Sequence, residues 1–208
     1  MDGCPFQSFQ RARSPEQKAE RRAQIIDAAA AFFETQRFEA ISLAAIARRA
    51  GVTKAALYRY FPSKEALFLA LYLRELELAA SATVNASQPL WQAISNLLCE
   101  RPLFCRLTTI LHSVLEQNLD HDQARDFKLS LLSHFSHLSE RLQAAYDLPA
   151  EPTIRFLKQV QQVLIGCWSM SHPAPVVETV IQEPPLDIFR VDFRQALQAQ
   201  LKALEAAL

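Results

Sequence analysis

The chain of 208 residues is predicted to be all-α: a helix–turn–helix three-helix domain at the N-terminus, then a second helical domain, about nine helices in all. Three observations carry this. Glycine occurs only three times while Ala, Leu, Gln, Glu and Arg dominate, a composition suited to helices. Apolar residues recur at helical spacing in stretch after stretch, with no alternation of the strand type. The segment "GVTKAALYRYFPSKEALF", residues 51–68, also places a glycine and a proline where two short helices would have to end.

Taken in order, residues 1–13 read as a flexible tail. Ser14-Pro15-Glu16-Gln17 is a helix start, with Ser14 as N-cap, Pro15 at the first helical position and Gln17 closing a capping box. This helix runs to near Gln36 and turns Ile25, Ala29, Phe32 and Phe33 inward, with Phe38 sealing the connection. Ser42 caps a short second helix whose inner face is Leu43, Ile46, Ala47 and Ala50. Gly51 ends it, as the residue best suited to a left-handed backbone. Thr53 caps a third helix to about Tyr60. Pro62 then moves Phe61 out of helical geometry, and Ser63 caps a fourth helix.

Long helices follow over 63–82, 88–99, 101–118, 121–147 and 152–171. Their stripes include Leu103, Leu107, Ile110 and Val114, then Phe127, Leu131, Phe135, Leu138 and Leu142. A proline-rich break at 173–185 precedes a last helix over 187–207 with Phe193, Leu197, Leu201 and Leu204 on one side. Domain boundaries are set at 14–80, with the helix–turn–helix motif at about 42–61, and at 81–208.

The zero net charge hides an asymmetry. Residues 1–65 carry 11 Lys and Arg against 7 Asp and Glu, whereas 66–208 carry 11 against 15. A basic front fits a polyanion contact confined to the first third. No stretch of signal-peptide length or membrane-spanning apolarity is present, which predicts a cytoplasmic protein without a membrane partner. Cys4, Cys99, Cys105 and Cys167 show no C-x-x-C spacing and are read as buried thiols.

Two short helices that cross steeply need a small residue at the crossing, a residue tolerant of positive φ at the turn, and apolar contacts after it. Ala47-x3-Gly51-Val52-x4-Leu57 supplies them all, with Val52 and Leu57 as the apolar contacts. With Leu57 inward, the third helix presents Lys54, Ala55, Tyr58 and Arg59. Such a helix fits a DNA major groove, where Lys54 can reach guanine acceptors and the alanines leave room for thymine methyls. Tyr58, Tyr60 and Lys64 can donate to phosphates, as can the hydroxyls of Ser42 and Thr53.

These residues are where a resemblance enters. The stretch "RAQIIDAAAAFFETQRFEAISLAAIARRAGVTKAALYRYFPSKEALFLAL" resembles the DNA-binding region of the tetracycline-repressor (TetR) family of bacterial transcriptional regulators. Arg22, Ile25, Ala28, Phe32 or Phe33, Ser42, Ile46-Ala47, Ala50-Gly51-Val52, Leu57-Tyr58, Phe61, Ser63-Lys64-Glu65 and Leu67 carry it, over just under a third of the chain. The resemblance implies that the first three helices bind a palindromic operator in double-stranded DNA. It also implies that the remainder is a ligand-binding and dimerisation domain whose last two helices pair with a second subunit. A small-molecule effector would then shift the fourth helix and release the DNA. By position, Lys54, Ala55, Ala56 and Tyr58 would face bases, and Ser42, Thr53, Arg59, Tyr60 and Lys64 phosphates. Many members have a glycine and a hydroxyl residue where this chain has Ala55 and Ala56, which removes one hydrogen bond to DNA and shifts base readout toward Lys54 and DNA shape.

For the ligand site, Trp91, Phe104, Phe127, Phe135 and Trp168 are candidate cavity walls, with Thr108, His112 and Glu116 as polar anchors. The central helices hold no cluster of basic residues, which favours a hydrophobic or amphipathic effector over a polyanion. The homodimer contact is expected through 152–171 (Phe156, Val160, Val163, Leu164, Trp168) and 187–207, because the stripe of the last helix needs a partner surface.

Competing readings are an enzyme or a ligand- or metal-binding helical protein that no longer binds DNA. His112 and Glu116 at i, i+4, and His134 and His137 at i, i+3, have spacings that can place two metal ligands on one face. No third ligand stands at a matching offset, so neither metal nor cofactor is assigned. No phosphate loop, nucleophile elbow or coherent carboxylate pair supports catalysis, and no catalytic residue is assigned.

Overall fold

The computed structural model describes residues 14–83 and 85–208, so the tail expected over 1–13, with Cys4, lies outside the described residues. The described residues form ten α-helices, and no strand occurs among them. They divide into two compact units, one up to Leu71 and one from Tyr72 on, the division falling inside the fourth helix.

In the first unit, α1 (Pro15–Phe33) starts at the capping box read from the sequence. The Gln17 N–H donates to Ser14 Oγ at 3.2 Å and the Ser14 N–H to Gln17 Oε1 at 3.3 Å. Ile25, Ile26, Ala29 and Phe33 are buried. Phe32 departs from expectation: it is only half-buried and lies under the Arg49 guanidinium, 5.6 Å from the ring centroid. At 3.6 residues per turn, Ile26 rather than Phe32 shares the inner stripe with Phe33. In α2 (Leu43–Arg49) only Ile46 and Ala47 are buried, because two turns offer so narrow an inner face that Leu43 and Ala50 sit at its margins. Phe68 of α4 (Lys64–Ala80) is the centre of this core, edge-on to Phe33 and Phe38 at 5.3 and 4.9 Å. Such aromatic pairs contribute about 0.5–1.5 kcal/mol beyond area burial.

The second unit continues with α5 (Leu90–Cys99), α6 (Pro102–Ile110), α7 (His121–Tyr146), α8 (Ala150–Ser171), α9 (Pro175–Val180) and α10 (Phe193–Glu205). The single helix expected over 101–118 is interrupted. Leu111–Leu115 forms a π turn, in which the Glu116 N–H reaches back five residues to the Leu111 carbonyl at 3.0 Å. A π turn takes up an extra residue. Leu107, Leu111 and Leu115 are therefore fully buried, while Leu103, Ile110 and Val114 of the expected stripe are only half-buried.

The proline-rich break is also more structured than expected. It contains α9, a 3₁₀ turn over Leu186–Phe189 follows it, and the last helix begins at Phe193 rather than at 187. Asp192 explains that start, its carboxylate accepting from the Gln195 N–H at 2.7 Å. At the start of α5, Pro89 has no side-chain acceptor to offer. The carboxylate of Glu205, 115 residues away, supplies it, accepting from the Leu90 N–H at 3.2 Å and the Trp91 N–H at 2.7 Å.

One expectation is overturned by this packing. The stripe of α10 does not await a second subunit: Leu197 and Leu201 are wholly buried against α5 and α8 of the same chain. Phe156, Val160 and Leu164 of α8 likewise point into this core. Trp168 stacks on His172 at 3.9 Å between ring centroids and meets Phe193 edge-on at 5.0 Å. An amphipathic helix buries its stripe on the nearest apolar surface, and here that surface belongs to the same unit.

Cys99, Cys105 and Cys167 are free thiols, and burial pushes each above the ordinary thiol range, Cys105 to about 12. No described helix is long and apolar enough to cross a membrane.

Candidate nucleic-acid interface and ligand cavity

The turn between α2 and α3 (Lys54–Tyr58) is built by backbone chemistry that the sequence announces. Gly51 has φ of +64°, and no atom lies within 4 Å of where a Cβ would stand. Conformation, not crowding, demands glycine here. The Val52 N–H donates to the Ala47 carbonyl at 2.9 Å and the Gly51 N–H to the Arg48 carbonyl at 3.2 Å, the bonding pattern of a Schellman motif. Ala47, 2% exposed, lies where α2 and α3 approach, and Leu57 is wholly buried behind α3.

This anchoring fixes which side of α3 faces out. Lys54, Ala55, Tyr58 and Arg59 are exposed, with Ala56 and Tyr60 half-exposed at the edge. Tyr58 keeps 45% of its surface and stands 5.8 Å, ring centroid to Nζ, from Lys54. Ser42 Oγ accepts from the Ala45 N–H at 3.2 Å and Thr53 Oγ1 from the Ala56 N–H at 3.1 Å. Capping uses a lone pair, so each hydroxyl keeps its proton for an outside acceptor.

Lys64 differs from its neighbours. It is half-buried, its Nζ donates to the Phe38 carbonyl, and it lies 4.1 Å from the centre of the Phe38 ring. Loss of hydration lowers its pKa, while Glu39 and Glu65 oppose that shift. The sequence suggested a solvated donor; the structure shows a lysine tied into the first unit.

The second unit holds a cavity of about 740 Å³, including space open to solvent, lined by α4, α5, α6, α7 and α8. Of the eight candidate ligand residues, Phe104, Thr108 and Phe135 line it. Phe127 is buried one layer behind, 6.3 Å from the Tyr72 ring, and Trp168 is taken up by its stack on His172. Trp91 lies beside Lys202, whose Nζ is 5.9 Å from the indole ring. His112 and Glu116, at the π turn, stand outside the lining, His112 exposed and the Glu116 side chain only 18% exposed. There His112 Nδ1 is 3.1 Å from Glu116 Oε2, and Lys128 Nζ donates to Glu116 Oε1 at 2.7 Å. Among the described residues no three His, Cys, Asp or Glu side chains gather as a metal site.

Two polar lining residues were not among the eight candidates. Tyr72 is 2% exposed and stacks on Phe104 at 5.5 Å between centroids. Burial holds its phenol far above the usual range, Thr108 opposing by a hydrogen bond and Glu116 adding to the rise. Gln161 reaches the lining from α8 while its Nε2 lies 3.4 Å from His112 Nε2. Apart from Tyr72, Thr108 and Gln161 the other twelve lining residues are apolar, and none of the fifteen is charged. A tyrosine within the α4 stripe was the available signal for the first; nothing in the sequence singled out Gln161.

A three-helix unit with a capped, outward-facing third helix, followed by a helical unit around an apolar cavity, defines a helix–turn–helix regulator with its own ligand domain. The comparisons agree. Residues 25–71 match the model for bacterial regulatory proteins of the tetR family, and residues 69–206 the tetracyclin repressor-like C-terminal domain. The chain belongs to the tetR family.

Among curated relatives, the nucleoid occlusion factor SlmA of Alteromonas mediterranea is 49% identical over 51 residues, 24% of this chain and 26% of that protein. The transcriptional repressor KstR of Mycolicibacterium smegmatis is 40% identical over 72 residues, 35% of each chain. The chain thus spans about a quarter to a third of the length of these relatives. A TetR regulator from Rhodococcus sp. RHA1 superposes with a TM-score of 0.57 at 18% identity, covering 94% of this chain and 99% of its own. A tetR-family regulator from Streptomyces coelicolor gives 0.55 at 18% identity, over 91% and 83%. Both likenesses extend the shared fold across the second unit.

Proposed function

We propose that this chain is a homodimeric transcriptional repressor that binds a palindromic operator through α3 and releases it when a small apolar molecule enters the cavity of the second unit. The exposed face of α3 carries the reading. Tyr58 keeps 45% of its surface exposed in the single chain, and its neighbours offer a cation, two small side chains and two capping hydroxyls suited to a DNA groove and its phosphates. Lys54, Ala55, Ala56 and Tyr58 are assigned to bases, and Ser42, Thr53, Arg59 and Tyr60 to phosphates. Lys64 keeps a phosphate role only through the ammonium protons that Phe38 does not use.

A helix of five residues reads few base pairs, and a symmetric dimer reads two half-sites about 34–36 Å apart. The dimer contact is assigned to the outer faces of α8 and α10, since their inner stripes are buried within the chain. Gly166 supports this: it is a helical glycine, exposed, with no atom within 4 Å of a would-be Cβ. Glycine within a helix costs about 1 kcal/mol relative to alanine, and nothing inside the chain requires it there; close approach of a second helix would.

Selection of DNA fragments from a random pool at about 0.15 M salt, where nonspecific phosphate binding is suppressed, tests the reading. Enrichment of a palindrome is expected. A folded dimer that enriches no sequence would refute it.

A further inference from the structure

The polar groups of the cavity define what it can hold. Lys128 and His112 both face the Glu116 carboxylate, and His112 does so through Nδ1. A proton on Nδ1 leaves Nε2 as the acceptor, and the nitrogen facing it at 3.4 Å belongs to the Gln161 amide. Gln161 therefore spends an N–H on His112 and keeps its carbonyl oxygen as an acceptor. Tyr72 is the second such group: it lines the cavity with Thr108, whose Oγ1 donates to the Phe104 carbonyl at 2.8 Å, and its phenol oxygen carries a lone pair able to accept.

The cavity thus offers acceptors, within an otherwise apolar lining that holds no cation. An unpaired carboxylate brought into such surroundings loses several kcal/mol of hydration without compensation, and the nearby Glu116 would repel it. A hydroxyl, by contrast, brings the donor that both acceptors lack.

We propose that the cavity binds a neutral, largely hydrocarbon molecule through a single hydroxyl group, which donates to Gln161 or Tyr72, and that it rejects carboxylates. The inference rests on the effector reading above for its biological use, but binding can be measured without DNA.

The test is calorimetric titration of the full chain, near neutral pH, with decan-1-ol, sodium decanoate and 1-methoxynonane, three molecules of nearly equal size. The alcohol is expected to bind at least about tenfold more tightly than decanoate and severalfold more tightly than the ether, the loss expected when a buried hydrogen bond goes unmade. Gln161→Leu should bring the alcohol down toward the ether without weakening the ether. Gln161→Met serves the same purpose if the leucine variant melts early by circular dichroism. Decanoate binding as tightly as the alcohol, or no difference between alcohol and ether, would overturn the proposal, as would failure of all three to bind. An alcohol that binds yet leaves operator binding unchanged would uphold the ligand class and refute the effector reading.

Discussion

At the residue scale, Tyr58 and Lys64 look alike in the sequence and differ in the structure. Replacing Tyr58 with alanine should lower the melting midpoint only slightly and weaken operator binding severalfold in a gel-shift titration, since the side chain keeps 45% of its surface exposed and lies outside the buried core. Lys64→Ala should do something else. It removes a donor to the Phe38 carbonyl and a cation from the Phe38 ring. A loss of roughly 1 kcal/mol in urea denaturation is expected, and an unchanged midpoint would show that the contact contributes nothing. Gly51→Ala separates conformation from space: the pocket is open, yet φ of +64° costs an L-residue about 1–2 kcal/mol. That loss should appear as a lower denaturation midpoint. The turn was legible because each of its requirements falls on a fixed offset, whereas the fate of Lys64 depends on Phe38, 26 positions away.

At the element scale, the sequence conveys periodicity well and partners poorly. The caps at Ser14, Ser42 and Thr53 were readable because donor and acceptor lie three residues apart. The cap of α5 was not, because its acceptor belongs to α10. Glu205→Ala should cost about 1–2 kcal/mol, the range of an N-cap deletion, read as a lower midpoint in thermal denaturation with the secondary structure below the transition intact. The π turn was invisible for another reason: leucines at 107, 111 and 115 satisfy a regular helix nearly as well as a widened one. Its effect on the site was large: His112 and Glu116, expected as cavity anchors, stand outside the lining as a pair that meets Gln161 through His112. The stripes of α8 and α10 were found correctly and given the wrong partner, since periodicity says that a face is buried and not against what.

At the scale of the whole molecule, the dimer is tested at Gly166. Gly166→Arg adds bulk and charge where the single chain has room. It should leave the circular dichroism spectrum intact, shift sedimentation toward the monomer, and abolish high-affinity binding to a two-half-site operator. A variant that remains dimeric would move the interface elsewhere. The bond between Glu205 and the first turn of α5 carries a consequence for kinetics. The amide hydrogens of Leu90 and Trp91 are held by a carboxylate on another helix, so they can exchange with deuterium only when α10 lifts away. Those two amides form a clock for the opening of the last helix, and if α10 lies in the subunit contact, the clock will slow as protein concentration rises.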